Sequence, residues 1–171
     1  MIRKISAILA VVLISGSVAF AASVNQQATF TVAVSSVFEL GIDYGLVDFG
    51  KMKPGDTKWN MPSSGITITA KTNNGKPWYL KVSNDSPFTS GSDVIQNSNF
   101  MWSGWSDGSG VWYGTGNDKI ATTPTLVYAS GSGEDNNLPD GTNNHMKFKL
   151  AVPKNQRPGS YITTVKFTMT E

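Results

Sequence analysis

The chain has 171 residues, with 14 Lys and Arg, 12 Asp and Glu, one histidine and no cysteine. The absence of cysteine excludes a disulfide framework and a lipid-modified N-terminal cysteine. Setting aside Arg3 and Lys4 leaves 12 basic residues against 12 acidic ones, and that balance gives no electrostatic reason to expect nucleic acid or anionic lipid as a partner.

Arg3 and Lys4 open the stretch "MIRKISAILAVVLISGSVAFAAS", where an apolar run from Ile5 to Ile14 precedes the small-residue site Ala19-Phe20-Ala21. This is the pattern of a secretory signal peptide, expected over residues 1–22. The run is too short to cross about 30 Å of hydrocarbon, so no membrane insertion is expected. An exported destination follows: bacterial cell surface, periplasm or extracellular space. Residues 23–171 are long enough for one domain with a full core. With 17 glycines, 8 prolines and no helical periodicity, the composition is that of strands joined by turns.

Alternation of apolar and polar residues marks the strands in turn. In "ATFTVAV" Ala28, Phe30, Val32 and Val34 share one face, which predicts a first strand. "VFELGI" and "GLVDFG" follow, closed by the turn "KPGD". "GITITAK" and "WYLKV", separated by "NNGKP", are expected to be neighbours in one sheet, with Ile66, Ile68, Ala70, Trp78, Leu80 and Val82 inward. Residues 84–99 read as polar loop. "TPTLVYAS" is a short strand, and "HMKFKLAV" points Met146, Phe148, Leu150 and Val152 inward. "YITTVKFTMTE" does the same with Tyr161, Val165, Phe167 and Met169. Short strands without crossover helices predict an all-β fold, a two-sheet antiparallel sandwich of immunoglobulin type.

The stretch "MWSGWSDGSGVWYGTG", residues 101–116, concentrates Trp102, Trp105, Trp112 and Tyr113 among glycines. Two readings stand. If exposed, the four rings form a platform for a carbohydrate. Alternatively, Trp102 or Trp105, and Trp112 or Tyr113, cover the end of the sandwich as a structural hairpin with one or two rings left at the rim, favoured because each hidden tryptophan removes about 150–250 Å² from water. In an extended chain Trp102 and Trp105 point to opposite faces, so both turn inward only if Gly104, Gly108 and Gly110 permit a bend.

Catalytic groups are sparse. His145 lies on the polar face of its strand beside Lys147 and Lys149 and is expected to be a surface residue without partners. Glu134, Asp135 and Asp140, in the loop 131–144, offer oxygen ligands but lack the spacing of an EF-hand, so a turn is favoured over calcium. The glycines of 104–116 precede no phosphate-binding helix. No enzyme activity, metal or cofactor is expected.

The segment "LAVPKNQRPGSYITTVKFTMTE" is similar to the closing segment of exported bacterial sandwich modules of the spore coat protein U-like and pilin-like type, through Gly159, Tyr161, Thr164 and Val165. "VDFGKMKPGD", with Asp48, Phe49, Gly50, Pro54 and Gly55, resembles the opening of the same modules. A weaker likeness links "GKPWYLKVSNDSPFTSG", through Trp78 and Leu80, to the WxL surface domains, although Phe167, Thr168 and Met169 replace their second motif. These resemblances imply a surface or filament role.

The combined expectation is a non-enzymatic cell-surface structural or adhesive module, a filament or coat subunit that assembles by strand addition. Its expected partners are like subunits or other surface proteins, with Ala28, Phe30, Val32 and Val34 on the donor strand. The alternative is a module that binds cell-wall or extracellular glycan through Trp102, Trp105, Trp112 and Tyr113.

Overall fold

A computed structural model describes residues 26–60 and 65–171. The expected signal peptide, 1–22, lies outside the described residues. The β-fold is the unit Val34–Glu171, and residues 26–33 belong to a separate unit.

Among the described residues twelve strands follow one another: β1 (Phe38–Ile42), β2 (Thr57–Trp59), β3 (Ile66–Thr72), β4 (Tyr79–Asn84), β5 (Phe88–Ser90), β6 (Asp93–Ile95), β7 (Phe100–Ser106), β8 (Val111–Trp112), β9 (Asp118–Lys119), β10 (Thr125–Ala129), β11 (Thr142–Ala151) and β12 (Val165–Thr170). The first sheet runs β1-β3-β11-β7-β9, with β2 also paired to β11; the second runs β12-β4-β10-β8; β5 and β6 make a separate hairpin. Every pairing is antiparallel. The protein is therefore the all-β two-sheet sandwich that the alternation predicts.

Alternate side chains of the two sheets meet in one core. β3 contributes Ile66, Ile68 and Ala70, β11 Met146, Phe148 and Leu150, and β7 Phe100 and Trp102; from the second sheet come Leu80, Val82, Val127 and Tyr128. Phe100 sits at an aromatic junction, with its ring 4.9 Å from Phe88, 5.7 Å from Phe148 and 6.3 Å from Phe49. Burying such rings supplies most of the driving force of a domain this size. At the end of the chain the Tyr161 hydroxyl donates to the Arg157 carbonyl at 2.8 Å and accepts from Gln156 Nε2 at 2.7 Å. That local anchor is of the tyrosine-corner kind found in immunoglobulin-type sandwiches.

Four expectations are corrected. Residues 28–34 form no strand in the chain, and Phe30, Val32 and Val34 are 91, 88 and 80% exposed. "GLVDFG" makes only an isolated bridge at Asp48. β3 and β4 are not neighbours; the segment between them crosses from the first sheet to the second, so their apolar faces oppose each other across the core. Residues 84–99 are not wholly loop, since they hold the β5–β6 hairpin.

The two flanks of the sandwich differ. At one, the edge strands β8 and β9 have two residues each; at the other, β1 has five and β12 six.

Candidate functional site

The long-edged flank opens onto the core. Between β1 and the start of β12 lies a groove of about 200 Å³, whose floor includes Ile66, Phe100 and Phe148 and whose walls include Val47, Val165 and Phe167. Ile42, Tyr44 and Leu46, at its rim, are exposed. The groove exists because the chain leaves β1 at Ile42 and runs to Asp56 without pairing along the length of β12. Apolar side chains thus face water between two strand edges whose backbone groups are not used by a further strand, a surface suited to an extended apolar segment.

The aromatic stretch is divided between the sheets. β7 belongs to the first and β8 to the second, so residues 101–116 cross the end of the sandwich and are not a hairpin. Trp102 points inward, 2% exposed, and meets Trp112 edge to face at 5.8 Å. Trp112 is half-buried and packs on Tyr128 at 6.4 Å. Trp105 points outward from the opposite face of β7, and Tyr113 is exposed beyond β8. The four rings named as a platform therefore share no face. Gly104 makes no bend: β7 runs straight through it, and a Cβ there would lie 2.7 Å from the Trp112 ring and 2.1 Å from the His145 carbonyl oxygen. Its role is to admit the neighbouring indole.

His145 is not the unpartnered surface residue expected. Its Nε2 lies 3.0 Å from Asp107 Oδ2, its Nδ1 3.4 Å from Thr67 Oγ1, and its ring stacks on Trp105 at 4.8 Å. Asp107 stands 38 residues earlier, and only the β7–β11 register brings it close. The group lies on the outer surface of the first sheet.

The acidic loop is built around Glu134, which turns inward and is buried. Its carboxylate accepts from the Tyr128 hydroxyl at 2.8 Å, from Ser109 N–H at 2.6 Å and from Gly131 N–H at 2.7 Å. The Trp78 indole N–H donates to its carbonyl at 2.9 Å. These donors occupy both oxygens, so Glu134 ties the 131–137 loop to the turn after β7; Asp140 remains exposed. Among the described residues no group of three or more His, Cys, Asp or Glu is placed to hold a metal.

Burial first, and the hydrogen bond to Glu134 second, raise the Tyr128 hydroxyl above its ordinary value of 10.0. The unfolded chain then releases this proton at lower pH than the folded one. Stability from this group is complete below pH 10 and lost as pH rises through the folded value. Urea titrations at successive alkaline pH values are expected to show a steeper loss in the wild type than in Tyr128→Phe.

Among the described residues no helix is long and apolar enough to cross a membrane. Fold and surface together define an all-β sandwich with an open apolar flank, and the comparisons with known proteins add one likeness of limited extent. No protein-family model and no curated protein matches the chain. Among solved structures it is similar to a family 123 glycoside hydrolase from Clostridium perfringens, described in connection with glycolipid glycan hydrolysis, with 15% identity and a TM-score of 0.37. That likeness covers 70% of this chain and 19% of the enzyme, so the chain spans about a fifth of the length of that neighbour.

Proposed function

We propose that the protein is an exported, non-enzymatic surface module that assembles by strand addition, with residues 28–34 of one copy entering the groove between β1 and β12 of the next. The observation that carries this reading is a match of patterns. Ala28, Phe30, Val32 and Val34 place apolar groups at every second position of an exposed, unpaired segment, and the groove exposes apolar core at an unpaired edge. An inserted strand would bury those side chains on one face and satisfy its backbone on the edge of β1 or β12, which is how strand addition supplies affinity. The single histidine and lack of cysteine support a non-catalytic role.

The mature chain is expected to form concentration-dependent multimers in sedimentation velocity. Deleting residues 23–34, or replacing Phe30 and Val32 by aspartate, is expected to leave monomers. A peptide spanning residues 26–36 should bind the deleted form and raise its melting temperature. If the mature chain stays monomeric at millimolar concentration and the peptide leaves the melting temperature unchanged, the reading is wrong.

A further inference from the structure

The outer face of the first sheet carries a second arrangement that strand addition does not use. Outward positions of adjacent strands lie side by side in the register of the ladder. One row across the sheet is Trp59, Lys149, Met101 and Lys119; another, four residues along β11, is Thr67, His145 and Trp105. Lys147, opposite Ser103, stands between the rows. Trp59 and Trp105 are each 43% exposed. They flank β11 on opposite sides, about 14 Å apart along the strand and about 10 Å across it from strand geometry. That separation is longer than one sugar ring and within the span of a short oligosaccharide.

Each indole has an ammonium group beside it. Lys149 Nζ lies 5.0 Å from the centre of the Trp59 ring, and Lys147 Nζ lies 5.4 Å from that of Trp105. Cation–π attraction keeps both ammonium groups at the rings in the free protein, within reach of a carboxylate carried by a sugar that takes their place. Ion pairs elsewhere join Lys166 to Asp85 at 2.6 Å, Lys76 to Glu171 at 2.9 Å and Arg157 to Asp93 at 3.8 Å. Among the described residues Lys147 and Lys149 have no carboxylate within ion-pair distance; Lys149 donates instead to Asn117 Oδ1. Asp107 lies 3.0 Å from His145 Nε2 in the row of Trp105. Lys119, Lys147 and Lys149 thus lie in or between the rows that carry the two exposed rings.

We infer that this face binds an anionic polysaccharide whose pyranose rings displace the Lys149 and Lys147 ammonium groups from over Trp59 and Trp105 and stack there, while their carboxylates pair with those two lysines. The tryptophans supply the flat contact that a sugar ring needs. The lysines select the charged chain over a neutral one of the same shape. The carbohydrate surface is thus assembled from Trp59 and Trp105 on different strands and excludes Trp102 and Trp112, which belong to the core.

The test uses the mature chain, with polygalacturonate as probe and its fully methyl-esterified form as neutral control, in affinity gel electrophoresis and by quenching of tryptophan fluorescence. Retardation by polygalacturonate and not by the ester is expected. Trp59→Ala and Trp105→Ala should each weaken binding about five- to tenfold, the range that one aromatic contact supports. The double variant Lys147→Gln, Lys149→Gln should lose the preference for the charged polymer. All substitutions are at the surface, and thermal melts establish that the variants fold. No retardation of the wild type would overturn the inference, as would equal retardation by both polymers or a lysine variant that binds like the wild type. Equal binding of dextran sulfate or oligothymidylate that is indifferent to the tryptophan substitutions would also overturn it, by marking simple ion exchange.

Discussion

Glu134→Gln is expected to lower the unfolding free energy by about 3 kcal/mol, measured by urea denaturation, because a buried carboxylate with several donors is replaced by a group that brings donors of its own. The wild-type oxygens accept from Tyr128, Ser109 and Gly131. An amide can keep one oxygen in place, but its NH2 then faces an N–H or O–H that has no room to turn away. Gly108 shows how tight the site is, since a Cβ there would fall 2.0 Å from Glu134 Oε1. Asp135→Asn, in the same turn, gives the comparison and should change stability by less than about 0.5 kcal/mol. Equal effects at the two positions would show that Glu134 is not the anchor of the loop.

Trp102→Ala should cost about 3–5 kcal/mol, the range for emptying a buried aromatic site. The ring is enclosed on the inner face of β7, where it meets Trp112 and lies close to Gly114, at which a Cβ would be 2.7 Å from it. Trp102 stands on the first sheet and Trp112 on the second, so the space can collapse only if the sheets approach each other. Trp105→Ala, three positions along the same strand, removes a ring from the outer face and should cost less than about 1 kcal/mol. Similar losses in the two variants would contradict the inward and outward assignment along β7.

These two residues also illustrate what the sequence could and could not convey. Strand alternation has a period of two, so it separates Trp102 from Trp105 and assigns the inward faces of β3, β4, β11 and β12 without tertiary information. It says which way a side chain points and nothing about which strand lies beside it. That is why β3 and β4 looked like neighbours and why residues 28–34, whose alternation resembles that of a paired strand, were assigned to the fold. The pairing of His145 with Asp107, and of Lys149 with Trp59, depends on register between strands distant in sequence, for which no local pattern exists. Trp59 closes a three-residue strand that holds Lys58 and follows Lys51 and Lys53, so neither periodicity nor composition singles it out.

The unequal flanks carry one more implication. Two-residue edges leave little backbone on which a neighbour can dock, whereas β1 and β12 present longer ones. On the strand-addition proposal each copy would have one receiving edge and one donated segment, a heterologous contact that does not use the same patch twice. Growth by that contact would have direction and would not branch, and the final subunit at the receiving end would need a different partner to cap it.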